Sequence, residues 1–173
     1  ALPVYRQFLE LGGDLRHFNQ AMRLEVPVGI TQEQACEMLL RLRTHHGALR
    51  LRTLDKSLAS FIIDPHDQLP DLTCNTLDLS KLSTDAQTEV IDQTFADLSN
   101  ALEPDQPAGM QAFCWVDRGS SMQPILLWVI HHFAIDGVSW RILLQDLSLL
   151  TQALRSSNNG FNVRGLASLD RKS

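Results

Sequence analysis

The segment Ile130-His131-His132-Phe133-Ala134-Ile135-Asp136-Gly137 gathers two histidines, a carboxylate and a glycine into one short stretch. An imidazole that titrates near pH 6.5 can take or give a proton at neutral pH, and a nearby carboxylate can fix its tautomer and orientation. His132, followed four residues later by Asp136, has the composition of such a unit, and Gly137 lets the backbone turn into the next element. The same residue types support two other readings. Adjacent histidines at a strand end also serve as hydrogen-bonded rim or core residues, and His with Asp can ligate a metal. No further His or Cys cluster adjoins the segment in sequence, so no metal is expected there. A second pair, His45-His46, closes a helical stretch, where a cation complements the helix dipole; capping is the expected role.

The elements that must position these residues are legible around them. Ile125 to Ile130 is a nearly unbroken apolar run, the pattern of a strand buried on both faces, and it delivers the histidine pair at its exit. Met110 to Val116 reads as its partner strand, across a turn at Asp117-Arg118-Gly119-Ser120. After Asp136-Gly137, the spacing of Trp140, Leu143, Leu144, Leu147 and Leu154 predicts a helix that packs back on the sheet. Upstream, Thr31 with Gln34 forms a capping box ahead of Ala35, Met38, Leu39 and Leu42. Thr84 with Gln87 opens a second helix carrying Ile91, Phe95, Leu98 and Leu102, which stops before Pro104. Leu49 to Thr53 alternates as a short strand. From Arg155 the composition turns to Ser, Asn, Gly and Arg, so residues 1–154 are expected to form one α/β subdomain and 155–173 a linker.

Composition narrows the function classes. The 173 residues suffice for one core, and 44% hydrophobic with 20% charged residues is the balance of a folded chain. Fifteen basic against 20 acidic residues, scattered and netting −5, offer no stripe for phosphate backbones, so no nucleic acid is expected. The longest apolar run falls far short of the roughly 20 residues of a membrane span, and no membrane partner is expected. Cys36, Cys74 and Cys114, odd in number and widely spaced, fit a reducing cytoplasm better than a disulfide scaffold. The chain opens at Ala1 with neither an initiator Met nor a signal-peptide layout, as a piece of a longer polypeptide would.

Taken together, these residues resemble the condensation-domain superfamily of nonribosomal peptide synthetases, whose hallmark HHxxxDG is matched by His131, His132, Asp136 and Gly137. The continuation Val138-Ser139-Trp140-Arg141-Ile142-Leu143 is similar to the epimerization branch of that superfamily. So are His45-His46-Gly47-Ala48-Leu49-Arg50-Leu51-Arg52, His17-Phe18-Asn19-Gln20 and the opening Pro3 to Leu9. The chain departs from the family at Tyr5, Gln7 and Gly47, where Gln, Trp and an acidic residue are usual.

The resemblance covers nearly this whole chain but about the first half of the family's domain. It implies the N-terminal subdomain of a chloramphenicol-acetyltransferase-like fold, an α/β (α+β sandwich) unit facing a C-terminal subdomain across the substrate tunnel. It also implies His132 as the catalytic residue. His131, Asp136, Gly137 and Arg50 would support the active-site loop, Arg50 by pairing with Asp136, and Ser139 and Trp140 would pack the tunnel or loop. The implied reaction is epimerization of an aminoacyl or peptidyl thioester carried on the 4'-phosphopantetheine arm of a peptidyl carrier protein, with no cofactor bound. Peptide-bond formation and a catalytically silent docking or recruitment module are the alternatives. Neighbouring synthetase domains are expected partners. The isolated chain, lacking the second wall, is expected to be inactive and to self-associate through the face left open.

Overall fold

The computed structural model describes residues 18–54 and 60–156. Its organising strand is β6 (Ile125–His131), every residue of which is buried. Because side chains alternate across a strand, an unbroken apolar run needs an apolar layer on each face, and both are present. Leu126, Trp128 and Ile130 join one core cluster, while Ile125, Leu127 and Val129 join the other.

Among the described residues the sheet around it has four strands. β1 (Asn19–Glu25) and β5 (Gln111–Asp117) flank β6 antiparallel, and β4 (Asn75–Asp78) lies parallel to β5. Helix α1 (Gln32–His45) buries Ala35, Met38, Leu39 and Leu42 in the first cluster, and α3 (Gly137–Ser156) adds Trp140, Leu143 and Leu150. Helix α2 (Thr84–Asn100) covers the opposite face with Ile91 and Leu98. The result is three layers, helix on sheet on helix, with a separate two-stranded ladder of β2 (Leu51–Thr53) and β3 (Phe61–Ile63).

Local sequence accounts for most boundaries. The capping box forms as its spacing predicts, with Thr31 Oγ1 accepting from the Gln34 amide and Gln34 Oε1 accepting from the Thr31 amide. At α2 the cap is Ser83, one residue before the expected Thr84, because the Ser83 hydroxyl accepts from the Ala86 amide. Leu102, expected on the helix face, lies past the helix end yet remains buried. The strand expected from Leu49 is a short 3-10 turn over Gly47–Arg50 before β2 begins. Helix α3 continues through Arg155 and Ser156, two residues into the span expected as linker; 157–173, His17 and the opening Pro3 to Leu9 motif lie outside the described residues.

Two contacts tie α3 to the rest. Trp140 meets Trp128 edge-to-face at 5.4 Å and 89°, both rings buried, an arrangement aromatic quadrupoles favour. His46, the C-cap just beyond α1, places Nε2 2.8 Å from Oδ2 of Asp146. The His45-His46 pair therefore sits at a helix end as expected, but the His46 ring serves a contact between helices.

Candidate active site

His132 stands one residue beyond β6, half-buried, with its backbone amide donating to the Phe18 carbonyl at 2.9 Å. Its ring is held on three sides. Nδ1 lies 2.7 Å from the Ile135 carbonyl. A carbonyl can only accept, so Nδ1 carries the hydrogen. Nε2 lies 3.2 Å from the side-chain nitrogen of Gln20, whose amide donates to the lone pair that this tautomer leaves on Nε2. Phe18 stacks on the ring at 4.7 Å and 21°. These contacts select a neutral imidazole whose basic nitrogen is Nε2, the state a general base requires.

His131 has the opposite character. It is fully buried, its amide donates to the Met110 carbonyl at 2.8 Å, and its Nδ1 accepts from the Phe133 amide at 3.2 Å. The ring anchors the turn after β6, and Phe133 carries the packing outward to Phe18 and to Phe61 of β3.

The exposed Asp136 accepts two hydrogen bonds on Oδ1, from the amide and the hydroxyl of Ser139, each 2.7 Å. This satisfies a free amide at the start of α3. The Ser139 bonds hold the Asp136 carboxyl below its ordinary range, since they favour the charged form. Gly137, the first residue of α3, does not occupy the left-handed region, and a Cβ there would meet open space. The turn into the helix therefore does not depend on glycine, contrary to the sequence expectation. Trp140 belongs to the core and Ser139 to the cap.

The expected pairing of Arg50 with Asp136 does not occur. Arg50 Nη1 instead donates to the backbone carbonyl of Asp64, while the Asp64 carboxylate is gripped by Arg52 through Nε at 3.0 Å and Nη2 at 2.9 Å. Arg50 closes the 3-10 turn and Arg52 lies in β2, and both reach Asp64, one at its carbonyl and the other at its carboxylate. The Asp136 carboxylate is instead engaged by the first turn of its own helix. Arg50 therefore reaches the hallmark segment only indirectly, through the ladder of β2 and β3 and the contact of Phe61 with Phe133 at 5.4 Å.

The structure thus brings together His131, His132, Asp136, Gly137, Ser139 and Trp140, and sets Arg50 apart from them. Sequence reasoning gave no role to Gln20, Phe18 or the Ile135 carbonyl around His132, and it overlooked Asp64. The first two sit in the His17 to Gln20 motif, and pairing of Gln20 with Ile130 across β1 and β6 sets them beside the histidine.

Known proteins share the sequence and the fold of this chain. The family model for the condensation domain matches residues 5–160. Chondramide synthase of Chondromyces crocatus is 30% identical over 155 residues, covering 89% of this chain and 4% of that protein. A linear gramicidin synthase polypeptide of Brevibacillus parabrevis is 34% identical over 149 residues, covering 84% and 3%. The chain therefore spans a few hundredths of the length of these relatives. Among solved structures, the epimerization domain from the third module of tyrocidine synthetase B superposes with a TM-score of 0.74 at 22% identity, over 92% of this chain and 35% of that one. The first condensation domain of the calcium-dependent antibiotic synthetase gives 0.69 at 21% identity, over 92% and 37%. These likenesses establish the α/β fold as that of the chloramphenicol-acetyltransferase-like domains. The chain belongs to the condensation-domain family of nonribosomal peptide synthetases.

Proposed function

We propose that this chain is the N-terminal half of an epimerization domain that inverts the α-carbon of an aminoacyl or peptidyl thioester on the phosphopantetheine arm of a carrier protein. The observation that carries the reading is the ring of His132, neutral, fixed at Nδ1 by a carbonyl and presenting Nε2 as base. A thioester carbonyl acidifies the adjacent C–H. His132 Nε2 takes that proton, the electron pair moves into the enolate, and a proton returned to the opposite face gives the inverted centre. The group on that face belongs to the C-terminal subdomain, which is why the chain alone should be inactive. His131 and Asp136 support the loop, Arg50 supports it from a distance, and Gly137 keeps the space beside it open. The likeness of Val138 to Leu143 to the epimerization branch favours inversion over peptide-bond formation.

A carrier protein, the C-terminal subdomain and neighbouring synthetase domains are the partners of this reading, which places the chain in the cytoplasm. Among the described residues no helix is long and apolar enough to cross a membrane. The exposed apolar residues Val138, Ile142 and Leu149 of α3 are available to a covering surface, and they favour self-association of the isolated chain.

The test is exchange in heavy water. The complete synthetase module, loaded with an aminoacyl thioester, should incorporate deuterium at the α-carbon and release the D-acid, and His132→Ala should slow both by about 10²- to 10⁴-fold. Peptide-bond formation without exchange at the α-carbon would overturn epimerization in favour of condensation. Neither reaction in a folded module, with the carrier still bound, would favour a docking role.

A further inference from the structure

We propose that His45, His46 and Asp146 form a binding site for a divalent transition-metal ion that staples α1 to α3. Each residue offers one donor atom, and the three atoms lie within 4.8 Å of one another. His45 ends α1 and His46 caps it, with ring centroids 4.9 Å apart at 89°, so two imidazoles are presented from different directions. Asp146 comes from the middle of α3 and already stands 2.8 Å from His46 Nε2. Two imidazole nitrogens and one carboxylate oxygen are the donor set of an open zinc site, in which water fills the fourth position. Nitrogen-rich sets of this kind also take nickel and copper, whereas calcium and magnesium prefer all-oxygen shells.

Occupancy would require little rearrangement. Zinc ligands sit about 2.0–2.2 Å from the ion and so about 3.4 Å from one another around a tetrahedron; the 2.8 Å His46–Asp146 pair must open by about half an ångström to admit it. His45 is exposed, and His46 and Asp146 are half-buried at the helix contact, so an ion has a path in. The hydrogen now shared between His46 Nε2 and Asp146 marks where the metal enters. On binding, the imidazole hydrogen moves from Nε2 to Nδ1, the freed Nε2 lone pair forms the nitrogen–metal bond, and the carboxylate exchanges its hydrogen bond for the ion. The staple would pin the helix whose first turn carries the Asp136 cap, at a place remote in sequence from the hallmark. It was not visible in the sequence, because Asp146 lies 100 residues from His46.

Calorimetry of the full chain with Zn²⁺ should give one equivalent bound. At free zinc a hundredfold above Kd the thermal midpoint should rise by roughly 5–10 °C. His45→Ala, at an exposed position that leaves the His46–Asp146 contact in place, should weaken binding by at least about tenfold, and Asp146→Asn likewise. His66→Ala should change nothing. With Co²⁺ the chain should show ligand-field bands and no thiolate-to-cobalt charge transfer. Absence of binding, undiminished affinity in folded His45→Ala, or a thiolate band assigning the metal to Cys36 and Cys74 would each overturn the proposal. None of these readouts involves catalysis, so failure here leaves the proposed reaction standing.

Discussion

Gln20 can be separated from His132 by a thermodynamic cycle. The Gln20 amide donates to His132 Nε2 at 3.2 Å, a contact that orients the imidazole without itself moving a proton. Gln20→Met keeps the length of the side chain and removes the donor. A neutral hydrogen bond contributes about 0.5–1.5 kcal/mol, and each 1.36 kcal/mol is tenfold in rate, so the single variant should slow α-proton exchange by about 2- to 13-fold. His132→Ala should slow it by about 10²- to 10⁴-fold. If Gln20 acts only by orienting the imidazole, Gln20→Met should cost less than about twofold once His132 is gone. Nitrogen-15 spectra of the histidine rings supply a readout without turnover. His132 should show hydrogen on Nδ1, because the Ile135 carbonyl requires it, and Gln20→Met should admit a fraction of the other tautomer. Equal slowing by Gln20→Met in both backgrounds would refute the positioning role, and hydrogen on Nε2 in the unaltered protein would refute the tautomer.

Three further outcomes come from the packing around the loop. Trp140→Ala removes a ring that is 5% exposed and its edge-to-face partner contact, and should cost about 3–5 kcal/mol in denaturant unfolding, whereas a loss under about 1 kcal/mol would mean α3 is not held by this ring. Gly137→Ala should leave stability unchanged or raise it by up to about 1 kcal/mol, since a Cβ there meets open space in a helical residue, while any loss of rate would mark that space as part of the substrate path. Asp136 has a folded pKa below its unfolded value, so its contribution to stability is present above the unfolded pKa and is lost as pH falls through the folded one. Melting curves across acid pH should lose that dependence in Asp136→Asn, and Arg50→Met should add to Asp136→Asn without coupling, because Arg50 is engaged by Asp64 and Asp136 by Ser139.

How much of this was readable in the chain depends on the range of each interaction. Strand β6 was legible because burial on both faces leaves an unbroken apolar run, and the helices because their caps and stripes are local. Strand β1 does alternate, with Met22 and Leu24 turned inward and Ala21, Arg23 and Glu25 exposed, but its polar first half blurs the period. β4, which is Asn75–Asp78, is too short and polar to carry any period and exists through its pairing with β5. The candidate site divides the same way. The bonds from His132 to Ile135 and from Ser139 to Asp136 each span three residues, so motif spacing can encode them. Arg50 was assigned the wrong carboxylate because its real partner is the backbone of Asp64, and spacing carries no information about a carbonyl.

Gln20 is the long-range case. It reaches His132 across 112 residues only because β1 and β6 pair with Gln20 opposite Ile130 and Asn19 opposite His131. A slip of one residue would turn Gln20 to the other face of the sheet and carry Met22 and Leu24 out of the core with it. The apolar residues of β1 therefore fix the register, and the register places the amide that orients His132. A polar substitution at Met22 or Leu24 should accordingly disturb the histidine tautomer, read by the same nitrogen-15 spectra, even though neither side chain is among the contacts that hold the ring.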